Sequence, residues 1–320
     1  MEIFQLTLNQ MLTMFLFILL GYVLRKSRIL PDNSYQTMSR LETYIFVPML
    51  VLHNWMTKCN PDSLRENGAL VLYGLALVLV AVVISYPLSK LFVPKADSKE
   101  DKYQRNIYKY AMTFGNFGFV GNFLVLGVWG ADMFFLYSMF TLLINFVCYS
   151  WGLFILIPGD GSTGSMKNFL KRMLTPPILA LFVGMAAGLL NVQKYVPAFV
   201  MNVLSDGSNC MGPVAMILAG VVIGGYDIKS LLADKKVYVA TFMRLIVIPA
   251  CMLLVLKLLG TDELIVTLAL IAFAVPLGLN TIVYPAAYGG DVKTGAAMAV
   301  ISHTFSVITI PLMYLLFVVL

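Results

Sequence analysis

Long apolar runs separated by short polar loops make up nearly all of the 320-residue chain. A helix needs about 20 mostly apolar residues to cross the hydrocarbon core of a bilayer. The runs predict ten such helices, of which the sixth is short. The predicted spans are residues 3–24, 36–56, 69–92, 107–129, 133–157, 175–190, 198–224, 237–259, 263–288 and 295–319. We therefore expect an all-α polytopic membrane protein.

Two of the predicted spans are interrupted by helix-breaking residues. The fourth contains residues 115–122 (GNFGFVGN), and the ninth contains residues 276–285 (PLGLNTIVYP). A membrane interior offers no water to freed backbone groups, so such breaks are tolerated only where protein or a wet cavity satisfies them. Interrupted segments at corresponding places in two halves mark a transporter binding site. The pattern predicts broken helices 4 and 9 that cross at a binding site.

The ten predicted helices divide into two halves of five. An odd number of helices per half makes the halves insert in opposite senses, which predicts a 5+5 inverted repeat. One offset superposes both breaks and the short motifs at residues 129–132 (WGAD) and 288–291 (YGGD). We expect residues 1–157 to form the first repeat, residues 158–174 a cytoplasmic linker rich in turn-forming residues, and residues 175–320 the second repeat.

Composition and charge agree with a membrane protein. The chain is 60% hydrophobic and 12% charged, whereas soluble domains are nearer a quarter charged. The net charge of +6 comes from basic residues in the loops after predicted helices 1, 3, 5 and 7, so it indicates topology and not nucleic-acid binding. The positive-inside rule then places these loops in the cytoplasm and both termini outside. The four cysteines lack metal-ligand spacing, and no enzyme motif is present, so we expect no metal, no cofactor and no enzymatic activity.

These residues together resemble the auxin efflux carrier family, which includes plant auxin exporters and bacterial malonate-type carriers. The resemblance is carried by residues 115–121 of helix 4, residues 276–280 and 288–291 of helix 9, and residues 46–48 (FVP) of helix 2. It implies a scaffold and a transport bundle, with the substrate beside the crossing of helices 4 and 9. It also implies a homodimer, and the short central loop is similar to that of members in the bacterial inner membrane.

The breaks supply the candidate substrate-binding residues. Broken helices expose unpaired N–H groups and carbonyls, and their half-helix dipoles favour an anion at one end and a cation at the other. Asparagine amides can hold a carboxylate, although an asparagine at a break can instead cap its own helix. The candidates are Asn116, Asn122, Asn280, Tyr284, Gly115 and Gly278, the two glycines acting mainly through close backbone approach.

Ionisable residues inside predicted spans are candidates for coupling transport to a proton or a sodium ion, because a charge there is costly. Asp206 precedes Pro213 much as Glu42 precedes Pro48, and His303 can titrate near neutral pH. The alternatives are a solvated Glu42 and a His303 that is hydrogen-bonded in the core. For Arg244 the possibilities are that it counters an anionic substrate, forms a structural ion pair or reaches the interface. The supporting residues are Ser205, Asn209, Pro276, Pro48, Pro213 and Arg244.

The function expected from these features is secondary transport of a small organic anion by alternating access. The family resemblance suggests an auxin-like aryl carboxylate or a short dicarboxylate. An anion channel is one alternative, because broken helices also line pores. A membrane sensor that binds a ligand without moving it is the other.

Overall fold

The computed structural model describes residues 2–156, 175–282, 285, 291 and 293–319. All regular secondary structure in these ranges is helical. The predicted linker 158–174, Tyr284 and residues 288–290 of the second short motif lie outside the described residues.

Sixteen α-helices are named here in chain order. They are α1 Glu2–Lys26, α2 Ser34–Leu41, α3 Val47–Lys58, α4 Pro61–Asn67, α5 Ala69–Phe92, α6 Lys99–Thr113, α7 Asn122–Val128, α8 Gly130–Val147, α9 Leu153–Leu156, α10 Pro176–Leu189, α11 Ala198–Gly224, α12 Ile228–Leu232, α13 Lys235–Phe242, α14 Ile248–Leu258, α15 Glu263–Phe273 and α16 Lys293–Tyr314. Wider π-helical turns join several of them, at Glu42–Phe46, Phe117–Gly121, Cys148–Gly152 and Met243–Val247.

Six helical segments within the described ranges are long and apolar enough to cross a membrane. They are Phe4–Lys26, Ala69–Phe92, Gly130–Val147, Ala198–Gly224, Lys235–Leu258 and Lys293–Val319. Three shorter apolar segments, Phe117–Val128, Pro176–Leu189 and Glu263–Phe273, accompany them. An all-helical protein with membrane-spanning segments is thereby confirmed, while the ten-helix inverted repeat stays a prediction.

Two of the π turns end two residues before a proline. The Glu42–Phe46 turn precedes Pro48, and the Met243–Val247 turn precedes Pro249. Proline lacks an N–H and its ring crowds the carbonyl four residues earlier, so a wider turn relieves the helix there. Each turn carries a charged residue, Glu42 or Arg244, with no exposed surface.

The helices pack in two closely connected groups. In one, α1 packs against α11, and α3 packs against α10 and α11. In the other, α5 packs against α6 and α8. Contacts between α1 and both α7 and α16, and between α3 and α8, connect the groups.

At one end of the molecule Lys26 donates to the carbonyl of Tyr226 over 3.0 Å, so the basic loops after α1 and α11 lie together.

Two helices end where the chain predicts interruptions. Helix α6 starts with a Ser98 side-chain cap and ends at Thr113, and α15 starts with an Asp262 cap and ends at Phe273. Beyond each end the backbone is not helical, and the two segments meet in an antiparallel bridge between Gly115 and Leu277. We call this contact the crossing.

Backbone groups at the crossing satisfy one another. The N–H of Asn116 donates to the carbonyl of Pro276 over 2.6 Å, and the N–H of Leu277 donates to the Ser302 hydroxyl over 3.0 Å. Buried backbone polar groups need such partners, and inside a membrane water cannot supply them. The crossing therefore supplies partners for the N–H groups of Asn116 and Leu277, which lie beyond the ends of α6 and α15.

We predict that Gly115→Ala destabilises the protein and that Gly118→Ala does not. A Cβ at Gly115 would lie 2.8 Å from the Val275 carbonyl oxygen, whereas a Cβ at Gly118 meets no atom within 4 Å. Overpacking of this kind costs about 1–3 kcal/mol. Thermal unfolding of the detergent-purified variants measures the difference, and equal midpoints for the two variants would contradict the account.

Candidate functional site

A cavity of about 880 Å³ lies between α2, α3, α8, α10, α11 and the segments that follow the crossing. Its volume suits a small organic molecule. Residues 117–119 and 122 line it from one segment, and Leu279 and Asn280 line it from the other. None of residues 113–116 or 274–278, all of which are described, is part of the lining. The cavity therefore ends at the crossing.

The cavity reaches the surface beside α2, and the exposed Phe146 of α8 and Phe182 of α10 line it as well. Gln36 and Arg40 line this mouth, and both are exposed. Arg40 is the only charged residue among the described residues of the lining. An anion entering the cavity would therefore meet one cation and no carboxylate there.

The start of the helical segment Phe117–Val128 faces the cavity. The carbonyl of Asn116 accepts from the N–H groups of Val120 and Gly121, so the helical hydrogen bonds begin at Val120. The N–H groups of Phe117, Gly118 and Phe119 have no backbone partner in the described part of the chain, and all three residues line the cavity. A helix N-terminus of this kind carries a partial positive charge and binds anions.

Asn280 lines the cavity and is held by a buried network. Its Nδ2 donates to the Tyr110 hydroxyl over 2.8 Å and lies 3.8 Å from the Cys148 sulfur. Tyr110 Oη and Cys148 Sγ are 3.2 Å apart. The amide nitrogen is thus engaged, while no hydrogen bond to Oδ1 is formed within the described ranges. This orientation leaves the oxygen as the free end of the amide.

Three other polar groups of the lining are tied to α8, whereas the buried Thr175 hydroxyl has no partner in the described ranges. The hydroxyls of Ser138 and Thr141 donate to carbonyls of Phe135 and Tyr137, and the amide of Asn145 donates to Thr141. The Asn122 side chain makes no hydrogen bond to another described residue. Asn122 is therefore the lining amide that is free to donate to a ligand.

The structure places Asn116 on the far side of the crossing from the cavity. Its Nδ2 lies 3.5 Å from Nε2 of His303, whose Nδ1 lies 2.7 Å from the Ala299 carbonyl. A carbonyl can only accept, so Nδ1 carries the proton and Nε2 accepts from Asn116. His303 is hydrogen-bonded in the core in this conformation. Gly115, Gly278 and Pro276 also lie at the crossing and outside the cavity lining.

The remaining coupling candidates are dispersed. Asp206 and Asn209 are exposed on α11 and Ser205 is half-buried, and none of them lines the cavity. Pro48 and Pro213 are half-buried in α3 and α11.

Glu42 has no exposed surface, and neither carboxylate oxygen has a hydrogen-bond partner among the described residues. The interpretation of a solvated Glu42 is therefore wrong, because packing against α10 and α11 covers its turn.

Arg244 lies behind the crossing and not in the cavity. It has no exposed surface, and its Cζ lies 5.9 Å from the centre of the Phe273 ring. No ion pair of Arg244 is formed within the described part of the chain. The interpretation of an Arg244 that reaches the interface is wrong, and the structural ion pair finds no partner in those ranges.

Three residues of the site have little or no signal in the sequence. Tyr110 holds Asn280, Tyr137 donates to the Phe117 carbonyl over 2.9 Å, and Ser302 accepts from Leu277. Each comes from a different helix and reaches a break that lies far away in the chain. The position of Tyr110, just over one turn before Gly115, was the only available local signal.

We predict that Tyr110→Phe lowers the thermal unfolding midpoint and that Tyr108→Phe leaves it unchanged or raises it. The Tyr110 hydroxyl bonds Asn280, whereas the buried Tyr108 hydroxyl has no partner in the described ranges. Loss of a buried hydrogen bond costs about 0.5–1.5 kcal/mol, while removal of an unpaired hydroxyl recovers a desolvation cost. A larger loss for Tyr108→Phe would show that the Tyr110 network does not hold the site.

Comparison with known proteins agrees with the fold and the sequence motifs. The profile of the Membrane transport protein family (Mem_trans) matches residues 6–314. An uncharacterized transporter of Methanocaldococcus jannaschii is 22% identical over 307 residues, covering 95% of this chain and 97% of its own length. The resemblance found in the motifs is thereby confirmed, and the chain belongs to the membrane transport protein family that contains the auxin efflux carriers.

Proposed function

We propose that this transporter is a secondary carrier that moves a small organic anion by alternating access. The substrate would bind at the inner end of the cavity, beside Asn122 and Asn280. The observation that carries the proposal is the start of the segment Phe117–Val128, whose free N–H groups border a cavity of about 880 Å³. Such a helix start attracts a carboxylate because of its hydrogen-bond donors and its partial positive charge.

The rest of the lining supports an anion with an apolar body. Arg40 is its only charged residue among those described, and Asn122 offers a free amide. Phe117, Phe134 and Phe146 also line the cavity and provide faces on which a ring can pack. This combination suits an aryl carboxylate, whose ring would pack on these aromatic faces while its carboxylate meets the helix start.

Alternating access would use the two interruptions. In this proposal α6 and the segment Phe117–Val128 are halves of one broken spanning helix, and α15 with the segment after Leu279 forms its inverted-repeat counterpart. The bundle that contains them would move against the group of α1, α3, α10 and α11. If the basic loops are cytoplasmic, the present cavity is open to the cytoplasm and both termini are outside. A homodimer in a bacterial inner membrane completes this proposal.

A carrier is favoured over a channel because the cavity ends at the crossing. Counterflow in proteoliposomes tests this directly. Vesicles loaded with unlabelled indole-3-acetate or malonate take up external tracer with no ion gradient. Transient accumulation of tracer above equilibrium is expected of a carrier. Equilibration without an overshoot would indicate a channel, and binding without entry would indicate a sensor.

We predict that Arg40→Gln weakens the apparent affinity for the transported anion about two- to fivefold, as expected of an exposed ion pair of about 0.4–1 kcal/mol. High salt should shrink the effect, because the charge is at the mouth and is screened. Tracer entry at increasing substrate concentrations measures it. Lys229→Gln is the control, since Lys229 is exposed near the same basic loops and does not line the cavity. Equal effects of the two variants would refute a specific role for Arg40.

A further inference from the structure

A buried cation lies directly against the crossing. The Arg244 Nη2 atom is 2.9 Å from the position that a Cβ would take at Gly115, and Cζ faces the Phe273 ring. The side chain has no exposed surface, and none of its three nitrogens has a hydrogen-bond partner among the described residues. A cation removed from water without a partner is unfavourable, so its presence requires a physical reason.

The other buried charge does not supply that reason. Glu42 lies in a turn that packs against α10 and α11, whereas the turn of Arg244 packs against α6 and α16. The two charged turns therefore face different parts of the molecule. The described ranges show no carboxylate within ion-pair distance of Arg244.

The ends of two helices explain the position of the cation. Helix α6 ends at Thr113 and α15 ends at Phe273, and both ends lead into the crossing at Arg244. Carbonyls in the last turn of a helix lack intrahelical partners and carry a partial negative charge. In carriers built from broken helices, such C-terminal ends coordinate the coupling sodium ion or proton. Here the Arg244 guanidinium lies near both helix ends, with Nη2 close to Gly115 and Cζ 5.9 Å from the Phe273 ring, and it forms no hydrogen bond with a described carbonyl.

We propose that Arg244 is a tethered counter-cation that takes the place of a coupling sodium ion at the crossing. Its permanent charge neutralises the two helix ends and balances the anion on the cavity side, so transport needs no sodium. The proposal rests on the proposed function as far as it concerns transport. Arg244 is a positioning residue, because it lies at the crossing and does not line the cavity.

A structural ion pair and a tethered counter-cation predict different effects of Arg244→Gln. If Arg244 were paired with a carboxylate, removing it would leave that charge buried and lower the unfolding midpoint by many degrees. If Arg244 is unpaired, the substitution removes a buried charge and leaves the midpoint equal or higher. Arg244→Lys keeps the charge, and Lys257→Gln is the control, since Lys257 is exposed on α14.

The first experiment needs no substrate. Thermal unfolding of the purified full-length protein and the three variants is compared in sodium chloride and choline chloride at equal ionic strength. We expect the wild-type midpoints to agree within about 1 °C, a small fraction of what one bound ion would add. We expect Arg244→Gln to unfold no earlier than wild type. Selective stabilisation of wild type by sodium, or a large loss in Arg244→Gln, would overturn the proposal.

The second experiment is counterflow of indole-3-acetate and malonate in sodium-free medium. We expect wild-type rates equal to those in sodium, a loss of about tenfold or more in Arg244→Gln, and partial recovery in Arg244→Lys. A folded Arg244→Gln that transports at the wild-type rate would contradict the proposal. If wild type moves neither probe, the proposed function loses its support for these anions, while the unfolding comparison still decides whether Arg244 replaces sodium.

Discussion

The structure depends on one constraint, which is that backbone groups released inside a membrane protein must find partners within the protein. Two non-helical segments meet this constraint together, through the Gly115–Leu277 bridge and the bond from Asn116 N–H to the Pro276 carbonyl. The approach is close enough that a side chain at position 115 would collide with Val275. Two side chains from other helices add hydrogen bonds. The Ser302 hydroxyl accepts from the N–H of Leu277, and the Tyr137 hydroxyl donates to the carbonyl of Phe117.

The crossing separates two regions of opposite electrostatic preference. On the cavity side a helix start presents the free N–H groups of residues 117–119, which favour an anion. On the other side the buried Arg244 lies near the ends of α6 and α15, where the helix dipole favours a cation. Helix polarity alone creates both preferences within one small region. A transporter can use such a region to hold an anion where lipid would exclude it.

The local sequence predicts where the two helices are interrupted, but it does not predict which distant residues contact the interruptions. Closely spaced glycines in the first segment and a proline in the second disfavour a regular helix, so the non-helical segments at Gly115 and Pro276 are predictable from the sequence. Single prolines such as Pro87 and Pro213 are accommodated inside helices. The placement of Asn122 and Asn280 on one cavity also follows, because each comes shortly after a break. Asn116 faces His303 instead, and Tyr110 holds Asn280, because these contacts depend on which distant helices pack together. The burial of Glu42 likewise required the positions of α10 and α11.

Occupancy of the inner cavity by the transported anion is tested most directly by protection of a cysteine at residue 122. Asn122→Cys is made in a background in which Cys59, Cys148, Cys210 and Cys251 are serine, and a membrane-impermeant maleimide labels it. We predict that the transported anion, added at a concentration near saturation, slows this labelling several-fold. The same anion should leave labelling of Lys229→Cys unchanged. Equal labelling rates at residue 122 with and without that anion would contradict a binding site at the crossing.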